Sequence, residues 1–355
     1  MASGNATRVL YEQRELPIFQ NKMYDSADEA ISSPRGEMRL VEDLGTGLVR
    51  NAAFRPELMV YDTSYQNEQA VSPSFQRHLD DVTRIILDTM GRQELVEVGC
   101  GKAFFLEKLL GQGVDITGFD PAYEGDNPRV RREYFQPGSG IEAKGLILRH
   151  VLEHIPDPVA FLEQLKQANG GQGKIYIEVP CFDWICERRA WFDIFYEHVN
   201  YFRLSDFHRI FGNVISSGRV FGGQYLFVVA ELNSLRKPSI NEDDRAGLPE
   251  DFTRKLEALD TADREPAVIW GGASKGVIFS LLRTRAGLPV KAVIDINPAK
   301  QGKYLPITGL CVRAPDDVLA DLPPGSSIYV MNRNYLEEIK RMSNNAYTYI
   351  EVDHD

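Results

Sequence analysis

Residues 95–101, Leu-Val-Glu-Val-Gly-Cys-Gly, constrain the fold of this chain more than any other stretch. Their apolar residues predict a buried parallel strand, and Gly99 and Gly101 force a tight turn before residues 104–110, which have helical spacing. Such a turn leaves backbone N–H groups at a helix N-terminus with no side chains in the way. The order strand, glycine turn and helix therefore predicts a site where a nucleoside-bearing ligand lies against the main chain.

Two features separate this turn from a dinucleotide-binding loop. Phe104 stands where the third glycine of G-x-G-x-x-G would be, and Glu97 lies at the end of the strand. A second predicted strand, residues 114–120, ends in Asp120, which is placed to accept hydrogen bonds from ribose hydroxyls. In this order the chain resembles the class I S-adenosylmethionine (SAM)-dependent methyltransferases, whose first motif is similar to residues 97–101 and whose second-strand acid is similar to Asp120.

Composition excludes several classes of partner. The chain has 355 residues, enough for two domains, and a formal net charge of −11 with no long Lys/Arg block, which argues against nucleic acid and anionic membranes. No apolar run reaches the roughly 20 residues that span a bilayer, and no basic-then-apolar leader begins the chain, so we expect a cytoplasmic protein. The four cysteines are scattered and predict reduced thiols and no metal site.

The chain divides into four predicted parts. Residues 1–90 form an N-terminal segment on the substrate side, with a hairpin over 37–50 and an amphipathic helix from about Ser74 to Met90. Residues 91–232 alternate strand and helix, which predicts an α/β Rossmann-like, doubly wound sheet that finishes in an antiparallel edge hairpin. The strands are predicted at 95–98, 116–119, 145–148, 174–179, 213–220 and 224–231.

The rest of the chain repeats the pattern on a smaller scale. Residues 233–264 are charged and predict a helical linker. Residues 265–355 then predict a second, smaller Rossmann-like lobe, in which the strand and glycine loop of 267–276 are followed by strands at 291–295 and 326–331. Glycine-loop amides together with Lys275 would suit a diphosphate, although a lysine in such a turn can simply be solvated.

Two clusters of polar residues carry the predicted chemistry. Arg149, His150 and His154 follow the strand predicted at 145–148. Side chains at the carboxyl ends of parallel strands project toward the ligand crevice. The alternative for a single histidine at such a position is a structural role, either in the core or as a cap of a helix. The second cluster, Tyr196, Glu197 and His198, provides a phenol, a carboxylate that can fix an imidazole tautomer, and a base; an aromatic helix cap is its alternative.

Taken together these residues closely resemble the sugar C-methyltransferases that act on nucleotide-linked 4-keto sugars such as thymidine-diphosphate sugars. The resemblance implies catalytic roles for Tyr196, Glu197, His198, His154 and Tyr65. It also implies that S-adenosylmethionine, which leaves as S-adenosylhomocysteine, is held by Glu97, Gly99, Gly101, Phe105, Asp120, Pro121, Arg149 and His150. The implied substrate contacts are Asn67, Ser274, Lys275, Asn332 and Asn334.

The chain departs from that family in two places. Family members usually begin with a zinc-binding module of paired cysteines, and here no cysteine precedes Cys100, so the N-terminal segment is expected to be zinc-free. In the family's Tyr-x-Tyr-x-Ser-Ser segment, the position of the second tyrosine is occupied by Asn67 in this chain. Glu68 and Gln69 follow it, and these differences predict an altered substrate pocket.

We therefore predict a methyltransferase that forms a C–C bond on a nucleotide-activated keto sugar. His198, oriented by Glu197 or Tyr196, removes a proton next to the ketone, and Tyr65 and His154 hydrogen-bond the developing enolate oxygen. O- or N-methylation of a sugar or natural product is the alternative reaction. An inactive nucleotide-binding protein is the alternative of another class, and an NAD-dependent dehydrogenase fits less well because neither glycine loop carries the full fingerprint.

Overall fold

The computed structural model describes residues 6–59, 71–258 and 265–353. Their strands form three sheets. The first is antiparallel and follows the order β1-β2-β3-β9, with β1 at Thr7–Pro17, β2 at Arg35–Asp43, β3 at Val49–Asn51 and β9 at Asn200–Tyr201. The predicted hairpin over 37–50 is its β2–β3 pair, whereas the long strand β1 was not predicted. The strand β9 comes from the middle of the chain and joins the N-terminal segment to the second sheet.

The second sheet is the doubly wound sheet that the sequence predicts. Its parallel strands are β4 (Leu95–Val98), β5 (Ile116–Phe119), β6 (Val130–Arg131), β7 (Gly145–Arg149) and β8 (Lys174–Pro180). The edge hairpin β10 (Val214–Val220) and β11 (Tyr225–Glu231) pairs antiparallel with β8, which gives the order β10-β11-β8-β7-β4-β5-β6. The predicted α/β architecture with an antiparallel edge hairpin is thus confirmed. The strands β4, β7 and β8 are buried along almost their whole length, as their apolar runs predict.

The third sheet forms the smaller C-terminal lobe. Its five strands are β12 (Ala267–Trp270), β13 (Val290–Ile294), β14 (Val312–Arg313), β15 (Ser327–Val330) and β16 (Thr348–Glu351), all parallel in the order β14-β13-β12-β15-β16. The lobe is Rossmann-like, as predicted, but β14 and β16 were not foreseen. In both lobes the ligand-facing edge is the one where the parallel strands have their carboxyl ends.

Helices cover the sheets, and one of them, α2, ends the N-terminal segment. The longest, α2, begins one residue earlier than predicted: Ser72 caps it by accepting from the amides of Ser74 and Phe75, and Pro73 fills its first position. The described helices are α1 (Ala27–Ile31), α2 (Pro73–Met90), α3 (Phe104–Gly111), α4 (Pro158–Ala168), α5 (Phe182–Glu187), α6 (Leu204–Ile210), α7 (Arg254–Glu257), α8 (Lys275–Arg285), α9 (Pro315–Leu319) and α10 (Leu336–Met342).

The segment 233–264 differs from the predicted helical linker. Within its described part, only the four residues of α7 are α-helical, because Pro238, Gly247 and Pro249 break the pattern. The segment packs on its neighbours instead: the amide of Ala246 donates to the buried Glu42 carboxylate at 2.7 Å. In the ranges that the structure describes, no helix combines the length and apolar character needed to cross a bilayer.

Candidate active site

One cavity lies between the two lobes, at the carboxyl ends of their parallel strands. On the methyltransferase-like side its wall includes the residues that follow β4, β7 and β8, and on the C-terminal side those that follow β12, β13 and β15. The N-terminal segment closes the cavity with Asn21, Val71, Ser72 and Phe75. The two glycine loops that the sequence predicts as separate sites therefore open into the same space.

The first glycine loop has the backbone that the sequence predicts. Gly99 and Gly101 have φ angles of +73° and +54°, in the left-handed region that favours glycine, and both line the cavity. A Cβ at Gly99 would lie 2.6 Å from Cγ2 of Val151, so a side chain cannot be added there without a shift. The loop thus exposes main chain to the cavity and has no room for larger residues at Gly99.

Asp120 supports this loop from behind. Its Oδ2 accepts from the amide of Gly101 at 2.8 Å and its Oδ1 accepts from the amide of Ala122 at 2.9 Å. Asp120 and Pro121 lie beside the loop and not on the cavity wall. Since each carboxylate oxygen has a second lone pair, the predicted ribose contact stays a prediction.

Glu97 is the most unusual group on this wall. Its side chain is buried, lines the cavity, and has an Oε2 atom without a hydrogen bond to any described residue. Burial raises its pKa to about 8, with the nearby Asp120 adding to the effect and Arg149 opposing it. Among the described residues this oxygen has no hydrogen-bond partner, which is unusual for a buried polar atom of a cavity wall.

Arg149 connects the cavity to a buried ionic cluster. Its guanidinium lies over the Phe105 ring at 4.5 Å and its Nη2 is 3.2 Å from Oε1 of Glu178. The same oxygen contacts Nε2 of His78 and of His150 at 3.1 Å each, and Tyr176 donates to Oε2 at 2.6 Å. Burial opposes the charged form of Glu178, but Arg149 and the two histidines outweigh it and hold the Glu178 pKa well below its usual value.

His150 is held between two carboxylates. It follows β7 with a φ of +53°, and its Nδ1 is 3.4 Å from Oε1 of Glu153 while its Nε2 faces Glu178. Burial disfavours the charged ring, but the two carboxylates outweigh burial and raise the His150 pKa to about 9. His150 is therefore an imidazolium at neutral pH, which makes it a donor at both nitrogens.

His154 and His198 meet at the bottom of the cavity, as the sequence predicts for residues of one site. Their ring centroids are 5.0 Å apart. His154 donates from Nδ1 to the main-chain oxygen of Glu197 at 2.9 Å, which in the neutral form of the ring leaves Nε2 as an acceptor. Burial and the neighbouring His154 lower the His198 pKa to about 3, which keeps this ring neutral.

Sequence reasoning missed Glu153. This residue is 1% exposed, lines the cavity, and has a ligand-type oxygen within 4.8 Å of ring nitrogens of His154 and His198. Burial opposes its ionisation, but His150, His154 and His198 outweigh burial and lower the Glu153 pKa. The available signal was an acid next to two histidines, in His150-Val-Leu-Glu153-His154, on a short helical turn at Leu152–His154.

The hydrogen bonds that the structure shows for the Tyr196 and Glu197 side chains go to the N-terminal segment, so the expected orientation of His198 by either side chain stays a prediction. The Tyr196 hydroxyl accepts from the amide of Arg55 at 2.9 Å and its ring stacks on Phe54, away from the cavity. The Glu197 carboxylate accepts from the amide of Gln20 at 3.3 Å. Both side chains are buried against the N-terminal segment, and it is the Glu197 carbonyl that contacts a site histidine, His154.

The second glycine loop is held by an aspartate, as the first one is. Asp295, which follows β13, accepts from the amide of Gly272 at Oδ2 (3.0 Å) and from the amide of Asn297 at Oδ1 (2.8 Å). Lys300 is 3.4 Å from the same Oδ2. In each lobe, an acid at the end of the second strand thus anchors the glycine loop of the first strand.

Ser274 and Lys275 lie on the cavity wall, where the sequence places them together, but both have protein partners. The Ser274 hydroxyl donates to Oδ1 of Asn21 at 3.1 Å. Lys275 is 5% exposed, with Nζ 3.3 Å from Oδ2 of Asp193 and 4.5 Å from the Trp184 ring. Lys275 is thus a paired cation at the edge of the cavity and not a solvated surface lysine.

Asn332 and Asn334 join the lobes. Asn332 lines the cavity and donates from Nδ2 to Oε1 of Gln224 at 2.8 Å. Asn334 donates to the main-chain oxygen of Phe221 at 2.9 Å and does not line the cavity, so its predicted substrate contact is replaced by a contact between lobes. Tyr65 and Asn67, the two remaining predicted site residues, lie outside the described residues.

A second contact between lobes lies at the start of α2. The Ser72 hydroxyl, which caps this helix, donates to Oε2 of Glu338 on α10 at 2.7 Å, and the amide of Ser74 faces the same oxygen at 3.3 Å. We refer to the Asn332, Asn334 and Glu338 contacts together as the interlobe clamp.

Comparison with known proteins gives one match by sequence and several by structure. Residues 54–214 match the family model described as a methyltransferase domain. No curated protein sequence matches the chain. The solved structures with similar folds include a toxoflavin-pathway enzyme, 1,6-didemethyltoxoflavin-N1-methyltransferase of Burkholderia thailandensis, at 17% identity over 43% of this chain and 77% of that chain, with a TM-score of 0.33.

A second similar structure is a SAM-dependent methyltransferase from Archaeoglobus fulgidus, at 16% identity over 44% of this chain and 93% of that chain, with a TM-score of 0.35. A third is the N-methyltransferase NodS from Bradyrhizobium japonicum, at 14% identity over 45% of this chain and 97% of that chain, with a TM-score of 0.33. At these identities and TM-scores the assignment stands on the family model and on the site. The matched segment contains the glycine loop, Glu97 with its open oxygen, Asp120 and the histidine pair. Residues 54–214 of this chain thus match a methyltransferase domain.

Proposed function

We propose that this protein is a SAM-dependent methyltransferase that transfers a methyl group to a carbon next to the ketone of a nucleotide-activated keto sugar. The observation that carries the proposal is the single cavity at the carboxyl ends of both sets of parallel strands. A glycine loop of each lobe opens into it, and the histidine pair lines the same cavity. This arrangement suits two ligands, one on each loop, with the reacting atoms next to the histidines.

The residues of the first lobe fit S-adenosylmethionine. The amino group of the cofactor supplies the donor that Glu97 Oε2 requires, and the Cβ-free Gly99 and Gly101 leave room for its nucleoside beside Phe105. Arg149 and His150, both cationic, would hold its carboxylate, while Asp120 holds the loop and offers its remaining lone pairs to the ribose. S-adenosylmethionine supplies an electrophilic methyl group to the nucleophile that the protein generates.

His198 acts as the base in this proposal. Its ring is neutral at working pH, as a base must be, and it lies on the cavity wall next to His154. Removal of the C–H proton next to the ketone would leave an enolate carbon, to which a bound S-adenosylmethionine would supply its methyl group, with S-adenosylhomocysteine as the leaving group. The neutral His154 ring offers an acceptor at Nε2, so it hydrogen-bonds a substrate hydroxyl and does not donate to the enolate oxygen as long as it is unprotonated.

The second lobe supplies the proposed contacts to the nucleotide-sugar. Ser274, Lys275 and Asn332 line its side of the cavity, with Lys275 and Lys300 as its cations. Each lysine is paired with a carboxylate, so an incoming diphosphate would share these ion pairs with Asp193 and Asp295. O- or N-methylation with the same base is the second candidate, because similar solved structures include enzymes described as N- and O-methyltransferases.

Two measurements test the proposal in order. Calorimetry with S-adenosylmethionine and S-adenosylhomocysteine should give micromolar binding that weakens in Asp120→Ala; no heat with either compound would reject cofactor binding and leave a nucleotide-binding protein. Solvent deuterium exchange into a panel of thymidine-diphosphate keto sugars, with S-adenosylhomocysteine present, then reads out proton removal alone.

Exchange at the carbon next to the ketone should disappear in His198→Ala and persist in the matched control His208→Ala, whose ring lies on α6 outside the cavity. Methyl transfer to oxygen or nitrogen without any exchange would select the second candidate.

A further inference from the structure

Glu153 is a buried acid on the cavity wall that the proposed reaction has not yet used. It lies in the short turn after β7, it is 1% exposed, and neither of its carboxylate oxygens has a hydrogen bond within the described residues. Its nearest charged neighbour is Nδ1 of His150 at 3.4 Å. An ionised carboxylate without hydrogen bonds is costly to bury, so its position between three histidines calls for a physical reason.

The charges around Glu153 come from every element that packs against it. Arg149 and His150 on the end of β7 are positive, and Glu178 on β8 is negative and shared with His78 on α2. The carboxylate of Glu197 points instead to the amide of Gln20. Two cations thus face the anions Glu178 and Glu153, and the cluster is neutral as long as His78, His154 and His198 are uncharged.

We propose that Glu153 is a positioning residue of the reaction, whose carboxylate is the counter-ion for the imidazolium formed when His198 accepts the substrate proton. This inference rests on the proposed function. The substrate C–H bond breaks, its electron pair stays on the substrate as the enolate, and the proton forms an N–H bond on the His198 ring. The new positive charge then lies within the 4.8 Å that separates these groups from Glu153.

The counter-ion role follows from the weakness of the base. The ring of His198 is among aromatic side chains, with Phe195 at 5.0 Å and Tyr201 at 6.3 Å between centroids, and burial alone disfavours its charged form. A base that holds its proton poorly gives a slow proton transfer unless the product charge is stabilised. A carboxylate oxygen of Glu153 lies within 4.8 Å of a ring nitrogen of His198, and the lowered Glu153 pKa means that this carboxylate is already ionised before the reaction.

A proton fits this cluster better than a metal ion does. Glu153, His154 and His198 are ligand types that bind divalent cations. However, Glu153 already faces the His150 imidazolium at 3.4 Å, and Arg149 shares the Glu178 carboxylate with that ring. A dication would add two positive charges to a neutral cluster, whereas a proton adds one.

The first test needs no substrate. Histidine side-chain NMR titrations of the 355-residue chain, run with EDTA, compare the wild type, Glu153→Gln and the control Glu163→Gln, which alters a partly exposed acid of α4. We expect the His150 pKa to fall by about one unit or more in Glu153→Gln, because the ring loses one of its two carboxylates, and to be unchanged in the control. An unchanged His150 pKa in Glu153→Gln would overturn the inference.

The second test is rescue by a small carboxylate. Glu153→Ala should lose about 100-fold in the deuterium exchange rate while S-adenosylmethionine affinity is kept, and added formate should restore part of the rate whereas formamide should not. A wild-type exchange rate in Glu153→Ala, or equal rescue by formamide, would refute the counter-ion role. If no keto sugar exchanges even with the wild type, the proposed function fails, and the NMR titration still decides whether Glu153 is the histidines' counter-ion.

Discussion

The open oxygen of Glu97 predicts that cofactor binding depends on pH in a specific direction. In the free protein burial holds the Glu97 pKa at about 8, so the carboxyl is mostly protonated at neutral pH. The ammonium of S-adenosylmethionine pairs only with the ionised form, so binding releases a proton and affinity rises with pH up to about 8. With a pKa of about 8, the ionised fraction rises about twenty-fold between pH 6 and pH 7.5, and we expect the association constant to rise by up to that factor.

Isothermal titration calorimetry is the assay for this effect. Titrations at pH 6 and 7.5, each in two buffers of different ionisation enthalpy, give both the affinity and the number of protons released. The α-amino group of the ligand stays largely protonated in this range, because its pKa is about 8. We expect close to one proton released in the wild type at pH 6 to 7.

A matched pair of variants isolates the carboxyl group. Glu97→Gln keeps the size of the side chain but cannot ionise, so its affinity should be weak and independent of pH. Glu107→Gln removes an exposed acid one turn into α3 and should behave like the wild type. Affinity that is flat with pH in the wild type, or a pH dependence that survives in Glu97→Gln, would refute the assignment of Glu97 as the partner of the cofactor ammonium.

Three further predictions concern stability. Glu178→Gln leaves Arg149 and His150 without their shared buried anion and should lower the free energy of unfolding by about 3–5 kcal/mol, measured by urea denaturation at pH 7; a loss under about 1 kcal/mol would contradict the buried cluster. The raised His150 pKa contributes stability that is complete below about pH 6.5 and is lost as pH rises through about 9. The difference in free energy of unfolding between wild type and His150→Gln should therefore shrink by about 3 kcal/mol between those pH values. A difference that stays constant with pH would argue against the raised His150 pKa. Glu338→Ala removes the acceptor of Ser72 and should cost about 1.5–3 kcal/mol by thermal unfolding, whereas Glu337→Ala, exposed on the same helix, should cost little.

The elements with strong periodic signals could be predicted from the sequence almost to the residue. The bounds predicted for β4 and β5 agree with the structure, because their apolar runs end in Gly99 and Asp120. The strands β6 and β14 were missed because two residues carry no period. The long β1 alternates poorly, since two bulges interrupt its pairing with β2.

The candidate site was partly predictable for a related reason. Residues at or after the carboxyl ends of parallel strands, such as Glu97, His150 and Ser274, could be assigned to the cavity because the topology brings strand ends together. Tyr196 could not be placed, because the N-terminal sheet that buries it is distant in sequence. The same holds for Asn334, whose amide is satisfied by a carbonyl of the other lobe. Sequence spacing contains no information about such contacts between domains.

The interlobe clamp has a consequence for selectivity if the proposed function holds. The clamp sets the distance between the two proposed ligand sites. The hydrogen bonds between Asn332 and Gln224 and between Ser72 and Glu338 fix the distance from the first glycine loop to the second. Neighbouring carbons of a sugar ring are about 1.5 Å apart, and a misplacement of about 1 Å already costs roughly 100-fold in rate. The length of these side chains, and not only the chemistry of the histidines, would therefore decide which carbon of the ring is methylated.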